Sequence, residues 1–157
     1  MRAAEWKPGE HAMTTVAAIL RHKGSHIVTI EPTARISEVA ELLADRQIGA
    51  ALVLDRADQM LGIVSERDIV RSLARNGART LDMTAGQLMT RALRTATPRT
   101  SVVEAMREMT LGRFRHMPVL DNDHLVGVIS IGDVVKARIM EQEQEVESLR
   151  SYVAGSA

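Results

Sequence analysis

Apolar residues in this chain follow two spacings, one typical of amphipathic helices and one typical of short buried strands. From Ile36 they recur at i, i+3, i+4 and i+7, which predicts a helix after a short strand at 27–30. Short apolar runs at 50–54 and 61–64 flank a polar turn and predict the two strands of a buried hairpin. A further helix should end at 76–77, where Asn and Gly favour a left-handed cap.

The same order of elements occurs twice in the chain. Residues 29–55 align with 95–121 and residues 62–70 with 127–135, and ten of the 36 aligned positions are identical. About two identities are expected by chance at ordinary composition. The second half is therefore predicted to repeat the strands at residues 93–96, 117–120 and 126–129.

Polar residues at the predicted helix starts indicate how these helices begin. Ser101, followed by Glu104 three residues later, matches a capping box. Short helices at 15–20 and 84–89 each open with a Thr that is suited to N-capping. Because strands buried on both faces need cover, we expect the two halves to pack against each other.

The duplicated elements resemble cystathionine β-synthase-type (CBS) domains, paired as in a Bateman module. The resemblance rests on Gly-Ile-Val-Ser-Glu-Arg-Asp at 62–68, Gly-Val-Ile-Ser-Ile-Gly-Asp at 127–133, and His-Met-Pro-Val-Leu at 116–120. It implies an α/β (α+β) fold of two pseudo-twofold-related repeats, each with a small three-stranded sheet and two packing helices. The predicted segments are an N-terminal arm, CBS repeat 1, CBS repeat 2 and a C-terminal helical extension, at 1–13, 14–77, 78–138 and 139–157.

Both heptapeptides end in Ser-x-x-Asp, which is predicted to lie where a strand meets a helix. There a carboxylate can accept hydrogen bonds from a ribose diol, while the hydroxyl and the first helical N–H groups can donate to phosphate. The same spacing matches a capping box, in which the acid bonds back to the backbone. Both interpretations stay open, and the two roles are compatible.

In this family the Asp of one repeat commonly faces strand residues of the other, so the resemblance implies two clefts between the repeats. One cleft would contain Ser65, Arg67, Asp68, Thr90, Leu93, Thr95, Arg115 and His116. The other would contain Lys23, Ile27, Ile48, Gly49, Ser130, Gly132 and Asp133. The purine would lie among aliphatic residues, namely Ile27, Ile63, Leu93 and Val128. Since glycines in the second cleft stand opposite arginines in the first, the clefts are not expected to be equivalent.

The distribution of charge favours a small anionic ligand. Residues 67–115 hold ten arginines and four acidic residues, a local charge of +6 in a chain whose formal net charge is zero. The three aromatic residues are too few for the stacking platforms of nucleic-acid binders. Membrane spans need about 20 apolar residues, and no run approaches that length. We therefore expect a cytoplasmic protein with neither nucleic acid nor membrane as a partner.

Motifs for catalysis or metal binding are missing from the sequence. The chain has no Cys, its five His show no metal-ligand spacing, and it contains no phosphate-binding lysine loop. The resemblance thus implies a non-catalytic regulatory module, an energy or redox sensor that binds an adenine nucleotide (AMP, ADP, ATP or NAD(H)) and needs no metal. S-adenosylmethionine is a further ligand left open. A protein-interaction scaffold is the main alternative, and a nucleotide-hydrolysing enzyme is the third.

The last helix is predicted to continue beyond the second repeat. Apolar residues and one Gln follow alternating steps of four and three, which indicates a narrow seam of coiled-coil type at residues 135, 139, 142, 146, 149 and 153. This seam either folds back on its own module or contacts another subunit. The family commonly forms homodimers, so the resemblance implies a homodimer, with an unidentified regulated protein as a further partner.

Overall fold

The computed structural model describes residues 14–24 and 26–155, and the predicted N-terminal arm lies outside them. The first half contains α1 (Val16–Lys23), β1 (Thr29–Ile30), α2 (Ile36–Arg46), β2 (Ala50–Leu54), β3 (Met60–Ser65) and α3 (Glu66–Asn76). The second half contains a 3₁₀ helix (Gly77–Asp82), α4 (Ala85–Leu88), α5 (Val102–Gly112), β4 (His116–Asp121), β5 (His124–Ser130) and α6 (Ile131–Gly155). The predicted α/β architecture of two repeats with a long C-terminal helix is confirmed.

Each repeat contains a β-hairpin, and the two hairpins match in detail. β2 pairs antiparallel with β3, and β4 pairs antiparallel with β5. The register shifts between Val53 and Leu54 and again, at the equivalent position, between Val119 and Leu120. The strand predicted at 27–30 is reduced to the two residues of β1, which run parallel to β2.

The third strand predicted for the second sheet, at residues 93–96, is wrong. Ala96 makes a single parallel bridge to Val119 in β4. At the other end of this segment, Thr90 exchanges two backbone hydrogen bonds, of 2.9 and 3.0 Å, with Ile63 in β3. The segment therefore crosses from one sheet to the other, and the backbone between its ends has no strand to pair with.

Two hydrophobic cores form, and each receives a short helix from the other half of the chain. In the first core, α4 packs against the hairpin and helices of the first repeat through Ala85 and Met89. In the second core, α1 packs against the second repeat through Val16 and Ile19. Each short helix therefore precedes one repeat in the sequence but completes the core of the other.

Backbone hydrogen bonds hold both exchanged helices in place. Val16 N–H donates to the carbonyl oxygen of Thr100 at 2.8 Å, and Ala85 N–H donates to that of Ala34 at 2.8 Å. Equivalent bonds, at 2.9 and 2.8 Å, join the next residue of each helix to a proline of the repeat it packs on. The first N–H groups of a helix lack intrahelical partners, so these bonds satisfy groups that would otherwise stay unpaired.

The predicted capping by threonine is confirmed at α4 and wrong at α1. Thr84 Oγ1 accepts a hydrogen bond from Gln87 N–H at 3.3 Å. Thr15 makes no side-chain cap hydrogen bond. In α1, Ala18 N–H donates to the backbone carbonyl oxygen of Thr15 at 3.0 Å.

Two other helix ends also test the sequence analysis. Ser101 Oγ accepts from Glu104 N–H at 3.1 Å, which confirms the predicted cap of α5. Gly77 ends α3 with a positive φ of 61°, but its ψ of −148° is not that of a left-handed helical cap. The left-handed cap is therefore wrong, because the chain turns at once into the 3₁₀ helix, where Thr80 is buried against Ser72.

Helix α6 extends for 25 residues, well past the second repeat, as predicted. Val134 in its first turn is fully buried in the second core. Farther along, Ile139, Val146 and Leu149 are exposed. Among the described residues, therefore, the seam does not fold back on its own repeats.

Because α1 completes the second core, a mutation in α1 should destabilise the second repeat. Ile19→Ala should lower the free energy of unfolding by about 2 to 5 kcal/mol, because it removes buried apolar atoms from the second core. Urea unfolding measures this change. Leu111→Ala is the matched control, since Leu111 is 71% exposed, and it should shift stability by no more than about 0.5 kcal/mol.

Hydrogen exchange locates the same effect in the structure. Amides of α5 should lose more protection in Ile19→Ala than amides of α2, although Ile19 precedes α2 in the sequence. A greater loss of amide protection in α2 would contradict the exchange of short helices between the repeats.

Candidate functional site

Two clefts lie between the repeats, and each contains one Ser-x-x-Asp sequence. The first, here called the Asp68 cleft, has a volume of about 400 Å³. It lies between the β3–α3 junction, the segment after α4, and the residues that precede and begin β4. The second, the Asp133 cleft, has a volume of about 470 Å³ and lies between the β5–α6 junction, the end of α1, and the residues around the start of β2.

Most of the predicted residues line the expected cleft. The Asp68 cleft is lined by Ser65, Arg67, Asp68, Thr90, Leu93, Arg115 and His116, together with Ile63. The Asp133 cleft is lined by Lys23, Ile27, Ile48, Gly49, Ser130 and Asp133, together with Val128. The predicted aliphatic neighbours of a purine are thus divided between the two clefts, two in each.

Two predicted residues do not line their cleft. Thr95 is exposed and precedes the bridge at Ala96, whereas the cleft wall is made by Thr90 and residues 92–94. Gly132 lies in the first turn of α6 beside an apolar groove formed with Val135 and Ile139. Since glycine has no side chain to reach back toward the cleft, it cannot take the place that Arg67 takes in the first repeat.

Both Ser-x-x-Asp sequences form complete capping boxes. Asp68 N–H donates to Ser65 Oγ at 3.2 Å, and Ser65 N–H donates to Asp68 Oδ2 at 2.9 Å. The same pair of bonds joins Ser130 and Asp133, at 3.2 and 2.8 Å. In both boxes the acid uses Oδ2, and Oδ1 accepts no hydrogen bond from the described residues. A cap and a second hydrogen-bonding role are therefore compatible for each Asp.

An ion pair distinguishes the Asp133 cleft from the Asp68 cleft. Lys23 Nζ lies 2.7 Å from Asp133 Oδ2 and also donates to the carbonyl oxygen of Val128 at 3.0 Å. Burial raises the pKa of Asp133, but the hydrogen bonds and charge of Lys23, with the hydrogen bonds from Ser130, lower it overall. Asp68 forms no ion pair with the described residues. The sequence predicts Lys23 in this cleft but not its contact with Asp133, because no counterpart in the other repeat signals that contact.

His116 and two neighbouring charged residues line both clefts. Arg115 and His116 line the Asp68 cleft, where the sequence predicts them, and both also line the Asp133 cleft, which the sequence does not predict. Gly49 makes room for the imidazole: a Cβ built there would lie 3.0 Å from His116 Cε1. Glu66, which the sequence analysis missed, also borders both clefts. Its only sequence signal is that the equivalent residue of the second repeat is Ile131.

Burial lowers the pKa of His116 below its ordinary value of 6.5. The positive charges of Lys23 and Arg115 lower this pKa further, while Glu66 and Asp133 act in the opposite direction. His116 is therefore neutral at pH 7, with its ring between the two clefts.

Arginines concentrate in the Asp68 cleft. Five of its lining residues are arginines, namely Arg67, Arg71, Arg94, Arg113 and Arg115. Arg94 pairs with Glu108, whereas Arg67, Arg71 and Arg115 form no ion pair with the described residues. Arg71, Arg94 and Arg113 were missed as individual site residues, although the local charge of 67–115 signalled them. The Asp68 cleft therefore has the greater capacity for an anion.

Within residues 14–24 and 26–155, no group of three or more His, Asp or Glu residues is arranged to hold a metal ion. None of the helices in the same part of the chain has the length and apolar character to cross a membrane.

Residues 16–75 and 85–139 match the family model of the CBS domain, and the chain therefore belongs to the CBS-domain family. The mitochondrial CBS domain-containing protein CBSX3 of Arabidopsis thaliana is 32% identical over 152 residues, which cover 90% of this chain and 73% of CBSX3. The crystal structure of the CBS-domain protein ATU1752 from Agrobacterium tumefaciens is similar with a TM-score of 0.78 and 42% identity, covering 80% of this chain and 99% of its own. The family resemblance inferred from the sequence is confirmed.

Two similar structures contain adenosine compounds. The CBS domain protein PAE2072 from Pyrobaculum aerophilum, complexed with AMP, has a TM-score of 0.66 and 30% identity and covers 76% of this chain and 88% of its own. The CBS domain pair of MJ0100, in complex with 5′-methylthioadenosine and S-adenosyl-L-methionine, has a TM-score of 0.71 and 25% identity, with coverages of 84% and 99%.

The lowered pKa of His116 predicts how stability depends on pH. Below pH 6.5 the unfolded chain binds a proton at His116 that the folded protein does not yet bind. The free energy of unfolding therefore falls as pH drops through this value, until the folded His116 also becomes protonated. His116→Ala, which copies Ala50 of the first repeat, should show a smaller fall in Tm between about pH 7.5 and about pH 5.5.

His124→Ala is the control for this measurement, because His124 is an exposed histidine in the second hairpin. It should keep the pH dependence of the unsubstituted protein. An unchanged pH dependence in His116→Ala would show that His116 is not held neutral in the fold.

Proposed function

We propose that this protein is a regulatory module that binds an adenine nucleotide in the clefts between its two CBS repeats. The observation on which this rests is the Asp68 cleft, where a carboxylate at a helix start shares one cavity with unpaired arginines. Its volume of about 400 Å³ lies in the range of small-molecule sites, roughly 300 to 1,000 Å³. The complexes of PAE2072 with AMP and of MJ0100 with adenosine compounds support the proposal.

The Asp68 cleft contains groups that can bind the ribose, the phosphate and the purine of a nucleotide. Asp68 has a carboxylate oxygen that the cap does not use, and it can accept hydrogen bonds from a ribose diol. Arg67, Arg71 and Arg115 can donate bidentate hydrogen bonds to phosphate, and the N-terminus of α3 favours an anion. Ile63 and Leu93 offer apolar surface to a purine.

The Asp133 cleft suits a less charged adenosine compound. Its carboxylate is already bonded to Lys23 at 2.7 Å, so a ribose there competes with an ion pair. Lys23 and Arg115 are matched by Asp133 and Glu66 among the lining residues, which leaves no excess of positive charge. The choice among AMP, ADP, ATP, NAD(H) and S-adenosylmethionine at each cleft is open to measurement.

A protein-interaction scaffold is the second candidate, because both Ser-x-x-Asp sequences form complete caps. If no adenosine compound is released from the purified protein and AMP gives no heat of binding, the scaffold is the better explanation. For either candidate we propose a homodimer as the functional unit, acting on an unidentified target protein. The non-catalytic role and the cytoplasmic location stay predictions from the sequence.

Substitution of the acids separates ligand binding from capping. Asp68→Asn and Asp133→Asn should each weaken binding at one cleft by about 1 to 3 kcal/mol, because a charge-assisted hydrogen bond to the ribose is lost. Isothermal titration with AMP measures this change. The control is Glu38→Gln in α2, since Glu38 Oε2 accepts from Arg35 N–H at 3.1 Å and lines neither cleft. If both Asn variants lower Tm while AMP affinity stays constant, the acids act as caps alone.

The unequal charge of the clefts predicts a difference in ligand preference. In the Asp133→Asn background, which isolates the Asp68 cleft, Arg67→Ala should reduce affinity for ATP more than for AMP, because phosphate charge is what arginine recognises. It should also reduce the salt dependence of binding. Arg75→Ala, farther along α3 and outside both clefts, is the matched control. Equal losses for ATP and AMP would argue against phosphate binding by Arg67.

A further inference from the structure

An apolar stripe on α6 lacks cover in the described part of the chain. Ile139, Val146 and Leu149 keep 50%, 48% and 46% of their surface exposed. Near the start of the helix, Ile131, Val135 and Ile139 line an apolar groove of about 390 Å³. Apolar side chains spaced along one face of a helix and left exposed in this way mark a surface that binds a protein partner.

The residue types along the stripe indicate a second α6 as that partner. In heptad notation, Ile139, Val146 and Val153 occupy a positions, and Leu149 occupies a d position. β-Branched residues at a with leucine at d favour parallel two-stranded coiled coils. Gln142, at another d position, places one polar side chain in the seam.

The charges beside the stripe favour the same arrangement. In a parallel, in-register pair, each g residue faces the e residue of the next heptad on the partner helix. Arg138 would then face Glu143, and Glu145 would face Arg150. In an antiparallel pair centred on the stripe, Glu143 and Glu145 would each face their own copies. Opposite charges therefore meet only in the parallel arrangement.

Glu145 and Arg150 are the better pair to test. Arg138 already forms an ion pair with Glu141 of its own helix at 2.8 Å, so it is less available to a partner helix. Arg150 forms no ion pair with the described residues. Glu145 lies at the outer limit of an ion pair with Arg138, at 3.9 Å.

We propose that α6 pairs with α6 of a second copy of this chain as a parallel, in-register coiled coil over residues 135–153. The inference rests on the proposed homodimer and is independent of the proposed nucleotide. The pairing is shorter than three heptads, so it supplements contacts between the repeats and fixes the relative direction of the two subunits. Because α6 begins beside Asp133, the two Asp133 clefts would lie at the same end of the dimer.

Site-directed crosslinking tests the direction and the register. The chain has no Cys, so Leu149→Cys provides a single thiol on the stripe, and diamide can oxidise two such thiols to a disulfide. At low micromolar protein, Leu149→Cys should form a covalent dimer in high yield. Ser151→Cys, on the outer face of the same turn, is the matched control and should link far less. Equal yields from both variants, or no disulfide from either, would overturn the proposal.

Charge exchange provides a second test that leaves the core untouched. Glu145→Arg should weaken dimerisation in sedimentation equilibrium by roughly tenfold, since two ion pairs become repulsive. Adding Arg150→Glu should restore it. In an antiparallel pair, where Glu145 faces its own copy, Glu145→Arg replaces one like-charged contact by another and should not weaken dimerisation.

The two proposals can fail separately. A wild-type dimer whose Leu149→Cys variant does not crosslink would refute the coiled coil and keep the homodimer. A wild-type monomer at high micromolar concentration would refute both, without bearing on nucleotide binding.

Discussion

The position of both clefts depends on the exchange of two short helices between the repeats. Neither core is complete without a helix from the other half, because Val16 and Ile19 fill one core and Ala85 and Met89 fill the other. Lys23 is the last residue of α1. Because α1 packs against the second repeat, Lys23 lies there and contacts Asp133. The segment after α4 is delivered in the same way to β3 and the Asp68 cleft. The packing of apolar residues thus determines which polar residues meet.

Within this symmetric frame, the chemistry of the repeats differs at a few positions. The Ser-x-x-Asp capping boxes, the register shifts in the hairpins and the backbone bonds that hold the exchanged helices each occur twice. The side chains that line the clefts differ at equivalent positions: Gly49 corresponds to Arg115, Glu66 to Ile131 and Arg67 to Gly132. Duplication therefore supplies two clefts at equivalent helix starts, and substitution at these positions gives them different charge. Under the proposed function, this difference selects between ligands with more and fewer phosphate groups.

The sequence predicts local features of this fold better than its long-range ones. Helical spacing and the Ser-x-x-Asp caps follow from residues close together in the chain, and they agree with the structure. The strand at 93–96 fails because Thr90 and Ala96 pair with different sheets, which no local pattern encodes. The cap at Thr15 fails although α4 makes equivalent backbone bonds to distant carbonyl groups and keeps its threonine cap, so residue type at the helix start does not decide it. Glu66 was not predicted as a site residue, because only the fold shows that it borders both clefts.

Under the proposed function, the residues shared by the clefts would couple the two sites. His116 lies between them and is neutral at pH 7 because burial and the nearby cations lower its pKa. An anion bound in either cleft would favour the protonated imidazole, and the added charge would in turn favour an anion in the other cleft. Such coupling is reciprocal, because the free energy by which one ligand helps the second equals that by which the second helps the first. Gly49 leaves room for this arrangement, since a Cβ there would lie 3.0 Å from His116 Cε1 and the imidazole would have to shift by a few tenths of an ångström.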